Sequence, residues 1–253
     1  MEKVTGIIIQ ARTGSTRLPG KVVKNIEGKT VLEHVIERLK RLKKEKKIIL
    51  ATTDKKEDDV LEKIAKKCQV SVFRGSENDV LDRFYQAAKL FDVDPIVRIT
   101  ADCPLLDPKI VKEVVDFYSE NNFDYVCNAH PPTFPDGMDV EVFSFKILEE
   151  CWQKAKTPEE REHVTPYIFK NQQKFNVGNF LSKEDFYDLR LVLDEKEDLV
   201  LIRKIYKELY RHNPNFGLKE IIELIKNKPE LVKINQKVNS HPISRWQRNQ
   251  KTL

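Results

Sequence analysis

No run of this sequence is apolar enough for long enough to cross a bilayer. Runs such as Ile7-Ile8-Ile9 and Ile48-Ile49-Leu50 fall far short of the roughly 20 residues that a spanning helix needs. Signal-peptide anatomy is missing as well, because the N-terminus enters a strand-like segment almost at once. A cytoplasmic protein without a membrane partner is the expectation. Cysteine is scarce: Cys68, Cys103, Cys127 and Cys151 stand far apart. Without a Cys-x-x-Cys pair, neither zinc binding nor a disulfide framework has support, and four buried thiols are expected instead. Acid is absent from one place, residues 233–253, which carry Lys233, Lys237, Arg245, Arg248 and Lys251. Those five account for the whole net charge of +5, since the other 40 basic residues balance the 40 acidic ones. A neutral body lacks the broad basic footprint of a nucleic-acid binder. The tail is therefore expected to be a solvated end or to pack on a partner subunit, and no nucleic-acid partner is expected.

What is present describes a globular chain: 253 residues, 40% hydrophobic and 34% charged, enough to bury a sizeable core. Strand and helix patterns alternate. Val4–Gln10 reads as a buried strand. Thr30 opens a helix as the first residue of a capping box with Glu33, and Leu32, Val35, Ile36, Leu39 and Leu42 form its apolar face. A strand over 47–52 and a helix from near Glu57 follow. A short strand over 70–73 then leads to a helix carrying Val80, Leu81, Phe84, Ala87, Ala88 and Phe91. The strand Ile96–Thr100 precedes a helix entered through Asp107-Pro108, and Phe123–Asn128 reads as another strand. Repeated βα units predict an α/β fold with a mostly parallel sheet and helices on both faces. After Pro131 the rhythm changes to a Pro-rich loop, a strand over 138–143, and helices near Ile147–Lys154 and after Thr157-Pro158. A buried strand, Leu189–Leu193, then ends on Asp194, and helices follow around 198–209 and 218–225. The expected organisation is one domain over 1–232 with an excursion at about 131–185, followed by the tail 233–253.

The first loop, Ala11-Arg12-Thr13-Gly14-Ser15-Thr16-Arg17-Leu18-Pro19-Gly20-Lys21, sits at the carboxyl end of the first strand, where open α/β sheets bind ligands. Gly14 would let a phosphate approach the backbone, Ser15 and Thr16 add donors, and Arg12, Arg17 and Lys21 supply three cations suited to a triphosphate. A P-loop is excluded, because five residues rather than four separate Gly14 from Gly20 and Val22 follows Lys21. No Gly-x-Gly-x-x-Gly is present for a dinucleotide. Gln10, Ala11, Thr100 and Ala101 at the strand ends, and Thr53 after the second strand, complete the candidate nucleotide contacts.

Asp102 and Asp194 each close a buried strand. Two carboxylates from separate strand ends can hold Mg²⁺ while water and phosphate oxygens fill its other positions. Asn78, Asp79 and Arg83 are candidate nucleotide contacts, although Asn78 or Asp79 serves equally well as a helix cap. Asp136, Asp139 and Glu141 are candidate acceptor-binding residues, with Asp139 and Glu141 on one face by period two. Glu162 and His163 join them from a predicted helix.

The chain resembles the cytidylyltransferase family of CMP-sugar synthetases, and within it the group of the spore-coat polysaccharide biosynthesis protein SpsF. The likeness is carried by Ile9 to Lys21, Arg74-Gly75-Ser76 to Arg83, and Arg98-Ile99-Thr100-Ala101-Asp102-Cys103-Pro104-Leu105. Pro135 to Phe143, Arg161-Glu162-His163-Val164-Thr165 and Asp194 to Leu199 extend it, so that it spans about residues 4–210 in order. The resemblance implies a Rossmann-like nucleotidyltransferase fold of the glycosyltransferase-A type, usually dimeric. It also implies CTP as donor, Mg²⁺ on Asp102 and Asp194, and the triphosphate on Arg12, Arg17 and Lys21. Many relatives carry Gly-Asp where this chain has Ala101-Asp102, a change that leaves the metal ligand in place. The acceptor implied is an acidic nine-carbon or Kdo-like sugar, whose hydroxyl would attack the α-phosphorus. Two alternatives stay open: a glycosyltransferase of the same fold, although Asp102-Cys103-Pro104 is not Asp-x-Asp, and a non-catalytic nucleotide-binding protein.

Overall fold

The computed structural model describes residues 3–42 and 46–238. In chain order the elements are β1 (Val4–Gln10), a hairpin of β2 (Asn25–Ile26) and β3 (Lys29–Thr30), α1 (Val31–Leu39), β4 (Lys46–Thr53), α2 (Asp59–Lys67), β5 (Ser71–Gly75) and α3 (Val80–Leu90). Next come β6 (Val93–Thr100), α4 (Pro108–Glu120), β7 (Tyr125–Cys127), β8 (Glu141–Phe143), α5 (Phe145–Lys154), α6 (Pro158–His163) and α7 (Pro166–Lys170). Last are β9 (Val177–Asn179), α8 (Lys196–Leu209) and α9 (Leu218–Asn227). No helix among the described residues is long and apolar enough to cross a membrane.

Among the described residues, seven strands form one sheet in the order β5-β4-β1-β6-β8-β7-β9. The β5-β4-β1-β6 half is parallel, and β8 runs antiparallel to both β6 and β7. This is the mostly parallel, two-faced α/β sheet expected from the sequence. The 131–185 excursion contributes β8 and the edge strand β9, which pairs parallel to β7. The central position of β1 explains its unbroken apolar run, since both faces are covered. Ile7 and Ile9 pack in the core that includes α1, α4 and α8, while Ile8 packs on the other face with α3 and α5. Register places Gln10 opposite both Ala51 and Thr100, so the loops after β1 and β6 leave the sheet side by side.

The predicted helix starts hold for local reasons. Thr30 Oγ1 accepts from the Glu33 amide at 3.2 Å while the Glu33 carboxylate accepts from the Thr30 amide at 2.6 Å. Asp107 caps α4 through the Lys109 amide and also accepts from the Leu218 amide, so one carboxylate starts two helices.

Two strand expectations need correction. Leu189–Leu193 runs from half-buried to buried yet forms no ladder, only an isolated bridge between Asp136 and Arg190. Its backbone bonds go to two different loops: the Leu191 amide to the Asp136 carbonyl and the Leu193 amide to the Asp102 carbonyl, both at 2.8 Å. A few bonds to separate loops satisfy the amides without building a sheet. The strand expected over 138–143 begins only at Glu141, because the Asn128 side chain bonds the Met138 carbonyl and the Val140 amide, each at 2.8 Å. That side chain substitutes for a ladder. Packing continues as far as Asn235, whose Nδ2 donates to Asp198 Oδ1 at 2.8 Å. The rest of the basic tail, 239–253, lies outside the described residues.

Gly137 joins the excursion to the 189–194 segment. Its φ is +101°, and a Cβ there would stand 2.6 Å from the Val192 nitrogen. Gly137→Ala is therefore expected to lower the unfolding free energy by ~2 kcal/mol or more. Urea denaturation checks this, and an unchanged midpoint would contradict the packing described.

Candidate functional site

The carboxyl ends of β1 and β6 open into a cleft of about 440 Å³. Its walls come from the 10–22 loop, from Arg98 to Asp102, from Glu162-His163 and from Asp194. The loop is folded on itself rather than draped. The Ser15 and Gly20 amides both donate to the Thr13 carbonyl, at 2.8 and 3.0 Å. The left-handed residue is Gly20, at φ +64°, so the backbone freedom of this loop is used there and not at Gly14.

Asp58 anchors the loop from beneath. Its Oδ1 accepts from the Thr13 amide at 2.7 Å and the Thr13 hydroxyl at 2.6 Å, and its Oδ2 accepts from Thr53 Oγ1. A buried carboxylate with three donors fixes the loop's root while the side chains of Arg12, Arg17 and Lys21 remain at the cleft.

The centre of the cleft is an ion triad. Lys21 Nζ lies 2.5 Å from Asp102 Oδ2 and 2.8 Å from Asp194 Oδ1. Burial alone would push Asp102 up, but the Lys21 ammonium overrides it and holds the carboxyl down at about 2. Burial likewise disfavours the Lys21 cation, and the two carboxylates reverse that, raising it above the ordinary lysine value. Asp194 also receives Arg17 at 3.0 Å on Oδ1 and Arg190 at 3.4 Å on Oδ2. Arg190 is itself locked: Nε and Nη2 each reach Asp198 at 2.9 Å, and Nη1 reaches Asp136 at 3.1 Å. Asp198 is fully buried and also accepts the amides of Asp194 and Glu195. With the bond from the Leu193 amide to the Asp102 carbonyl, this network sets one aspartate beside the other.

The opposite wall ends in a strained turn. Val164 has φ +71° and ψ −52°, and the Thr165 amide bonds the His163 carbonyl at 2.9 Å. This is a γ-turn of the rare positive-φ kind, costly for a β-branched residue. It follows directly on Glu162 and His163, and Arg12 Nη2 stands 4.0 Å from Glu162.

The structure thus gathers Gln10, Ala11, Arg12, Gly14, Ser15, Thr16, Arg17, Lys21, Thr100, Ala101, Asp102, Glu162, His163 and Asp194 around one cleft. The other candidates stand apart from its lining. Thr53 is wholly buried and bonded to Asp58. Asn78 is exposed. Asp79 caps α3 through the Asp82 amide and takes Arg161 on both oxygens. Arg83 is buried, with Nε and Nη1 unpartnered, and burial together with Arg12 pushes it down to about 10. Asp136 is bound to Arg190, and Glu141 to Arg98. Asp139 is solvent-exposed and has the carboxylates Asp136, Glu141 and Asp102 for neighbours. Sequence reasoning missed Arg98, which lines the cleft and bonds Gln10 Oε1 at 3.3 Å. Its signal was an arginine inside a buried strand, two residues before Thr100 and so on the same face. Asp58 and Arg190 carried no signal beyond their type.

Asp102 and Asp194 converge on a single ammonium, which is a test of whether a cation suits them. Among the described residues, no group of three or more His, Cys, Asp or Glu could hold a metal. Two carboxylates fit a hard ion such as Mg²⁺, which keeps water and phosphate ligands, and do not fit an all-protein zinc cage.

The sequence and the fold also match known proteins. The sequence profile of the family described as cytidylyltransferase matches residues 6–238. The spore coat polysaccharide biosynthesis protein SpsF of Bacillus subtilis is 33% identical, over 88% of this chain and 94% of its own. The solved cytidylyltransferase of Leptospira borgpetersenii serovar Hardjo-bovis superposes with a TM-score of 0.88 at 38% identity, covering 95% of this chain and all of that one. A 3-deoxy-manno-octulosonate cytidylyltransferase of Trichlorobacter lovleyi is 32% identical over 45% of this chain and 44% of its own.

Because its pKa is depressed, the Asp102 carboxylate adds stability that is complete above 3.8 and lost as pH falls through about 2. Asp102→Asn should flatten that part of the acid limb in urea midpoints measured against pH. A wild-type slope in the variant would contradict the triad's electrostatics.

Proposed function

The chain belongs to the cytidylyltransferase family, and we propose that it transfers CMP from CTP to a hydroxyl of an acidic sugar, releasing pyrophosphate. The product would be a precursor for surface polysaccharide. One observation carries the proposal: Lys21, Asp102 and Asp194 meet in the same cleft as Arg12 and Arg17, at the ends of the two central strands. The acidic-sugar class is supported by the Trichlorobacter relative's description, and the polysaccharide context by that of SpsF.

In the transfer, the acceptor oxygen forms a bond to the α-phosphorus, the bond to the β-phosphate bridging oxygen breaks, and the hydroxyl proton leaves. Such reactions are mostly positioning and charge stabilisation. Lys21, Arg17 and Arg12 would take the phosphate oxygens, and the Thr13–Asp58 anchor would keep the loop amides in place. Mg²⁺ on Asp102 and Asp194 would neutralise phosphate charge and lower the pKa of the attacking hydroxyl. Glu162 and His163 would orient the acceptor from the opposite wall, with Asp136, Asp139 and Glu141 behind. The same proposal takes residues 1–232 as one domain acting in the cytoplasm. It also takes the protein as a homodimer, with the 131–185 excursion serving acceptor and dimer contacts.

Pyrophosphate release measured with each of four nucleoside triphosphates and a panel of sugar acids tests the proposal. Turnover is expected with CTP and a 3-deoxy sugar acid, and Asp102→Ala should reduce it by about 10³-fold or more. CTP binding without turnover on any sugar acid would sink the enzymatic assignment, and near-wild-type activity in Asp102→Ala would sink the metal assignment.

A further inference from the structure

The Lys21 ammonium has two claims on it that exclude one another, the phosphates proposed for it and the two carboxylates it touches. It is one of three cations on the loop that faces the cleft, and it lies between the two carboxylates assigned to the metal, at 2.5 and 2.8 Å. Arg17 shares Asp194 Oδ1 at 3.0 Å, and Arg190 covers Oδ2. Both oxygens of Asp194 are therefore engaged by cations, and Asp102 Oδ2 by one.

These cations differ in freedom. Arg190 is pinned by Asp136 and Asp198. Lys21 sits at the end of a flexible four-carbon stem, and Arg17 is a third exposed. We infer that Lys21 is the stand-in cation of this site, balancing Asp102 and Asp194 until a triphosphate draws it away and frees them for a divalent ion. Rooted in the metal and phosphate roles proposed above, this adds a coupling: nucleotide and metal favour each other because both act on one ammonium. The coupling is reciprocal, so whatever weakens the hold of Lys21 on the carboxylates strengthens the binding of metal alone.

Free Mn²⁺ can be followed by electron paramagnetic resonance as the full-length protein is titrated without nucleotide. Wild type should bind weakly, and Lys21→Met at least about tenfold more tightly, well within the effect of a unit charge about 4 Å away at an effective dielectric of about 20. Lys21→Arg, which keeps the charge, should stay weak. Adding Asp102→Asn to Lys21→Met should remove the gain. If Lys21→Met binds Mn²⁺ no more tightly than wild type, the stand-in role is overturned. The metal site itself is judged separately by the loss of pyrophosphate release in Asp102→Ala. A gain that survives Asp102→Asn also overturns the inference, because the ion then sits elsewhere. Lys21→Gln replaces Lys21→Met if circular dichroism shows the latter unfolded. Micromolar Mn²⁺ binding by wild type alone would overturn the inference without any variant.

Discussion

The contact between Lys21 and the two aspartates is the one on which the cleft depends. Asp102 follows β6 and Asp194 follows a segment outside the sheet, more than ninety residues further along the chain. Two carboxylates brought this close in a largely buried place repel unless a cation stands between them. Lys21 supplies it from the loop after β1, so three distant parts of the chain meet at one nitrogen. Under the proposed function, a side chain that neutralises the carboxylates in one state and holds phosphate in another would suit a site that must accept a polyanion together with its metal.

Holding Asp194 there takes more structure than holding Asp102. The sheet delivers Asp102 directly, because β6 lies next to β1. Asp194 needs the bond from the Leu193 amide to the Asp102 carbonyl, the close approach of Leu191 and Val192 to Gly137, and the Arg190–Asp198 pair beneath it. Asn235 closes that pair from the far end of the described chain. Residues after the last long helix thus reach the site through Asp198.

The parts legible in the sequence were those decided by local chemistry. The continuous isoleucines of β1, the Thr30 capping box and the Asp107-Pro108 and Thr157-Pro158 helix starts depend on neighbours a few residues away, and each is present. That the 11–21 loop and Asp102 face one cleft is readable, because strand ends on one sheet edge share it. Long-range substitution was not readable. Leu189–Leu193 has a strand's composition, but its partners are loops, so it delivers Asp194 without joining the sheet. Thr53, read as a nucleotide contact, and Asp79, read as a nucleotide contact or a helix cap, are occupied by Asp58 and Arg161, pairings across 5 and 82 residues that no spacing rule reveals, and Asp79 is also the cap. Arg98 has no motif of its own, and its only signal is its place in an apolar strand two residues before Thr100.

The central claim is that this cleft moves a cytidylyl group, and ³¹P NMR of a mixture of protein, CTP, Mg²⁺ and a 3-deoxy sugar acid tests it most directly. The prediction is that the three CTP resonances give way to free pyrophosphate and one new phosphodiester signal from the CMP-sugar. Formation of CDP with orthophosphate, or an unchanged CTP spectrum across the sugar acids, would contradict it.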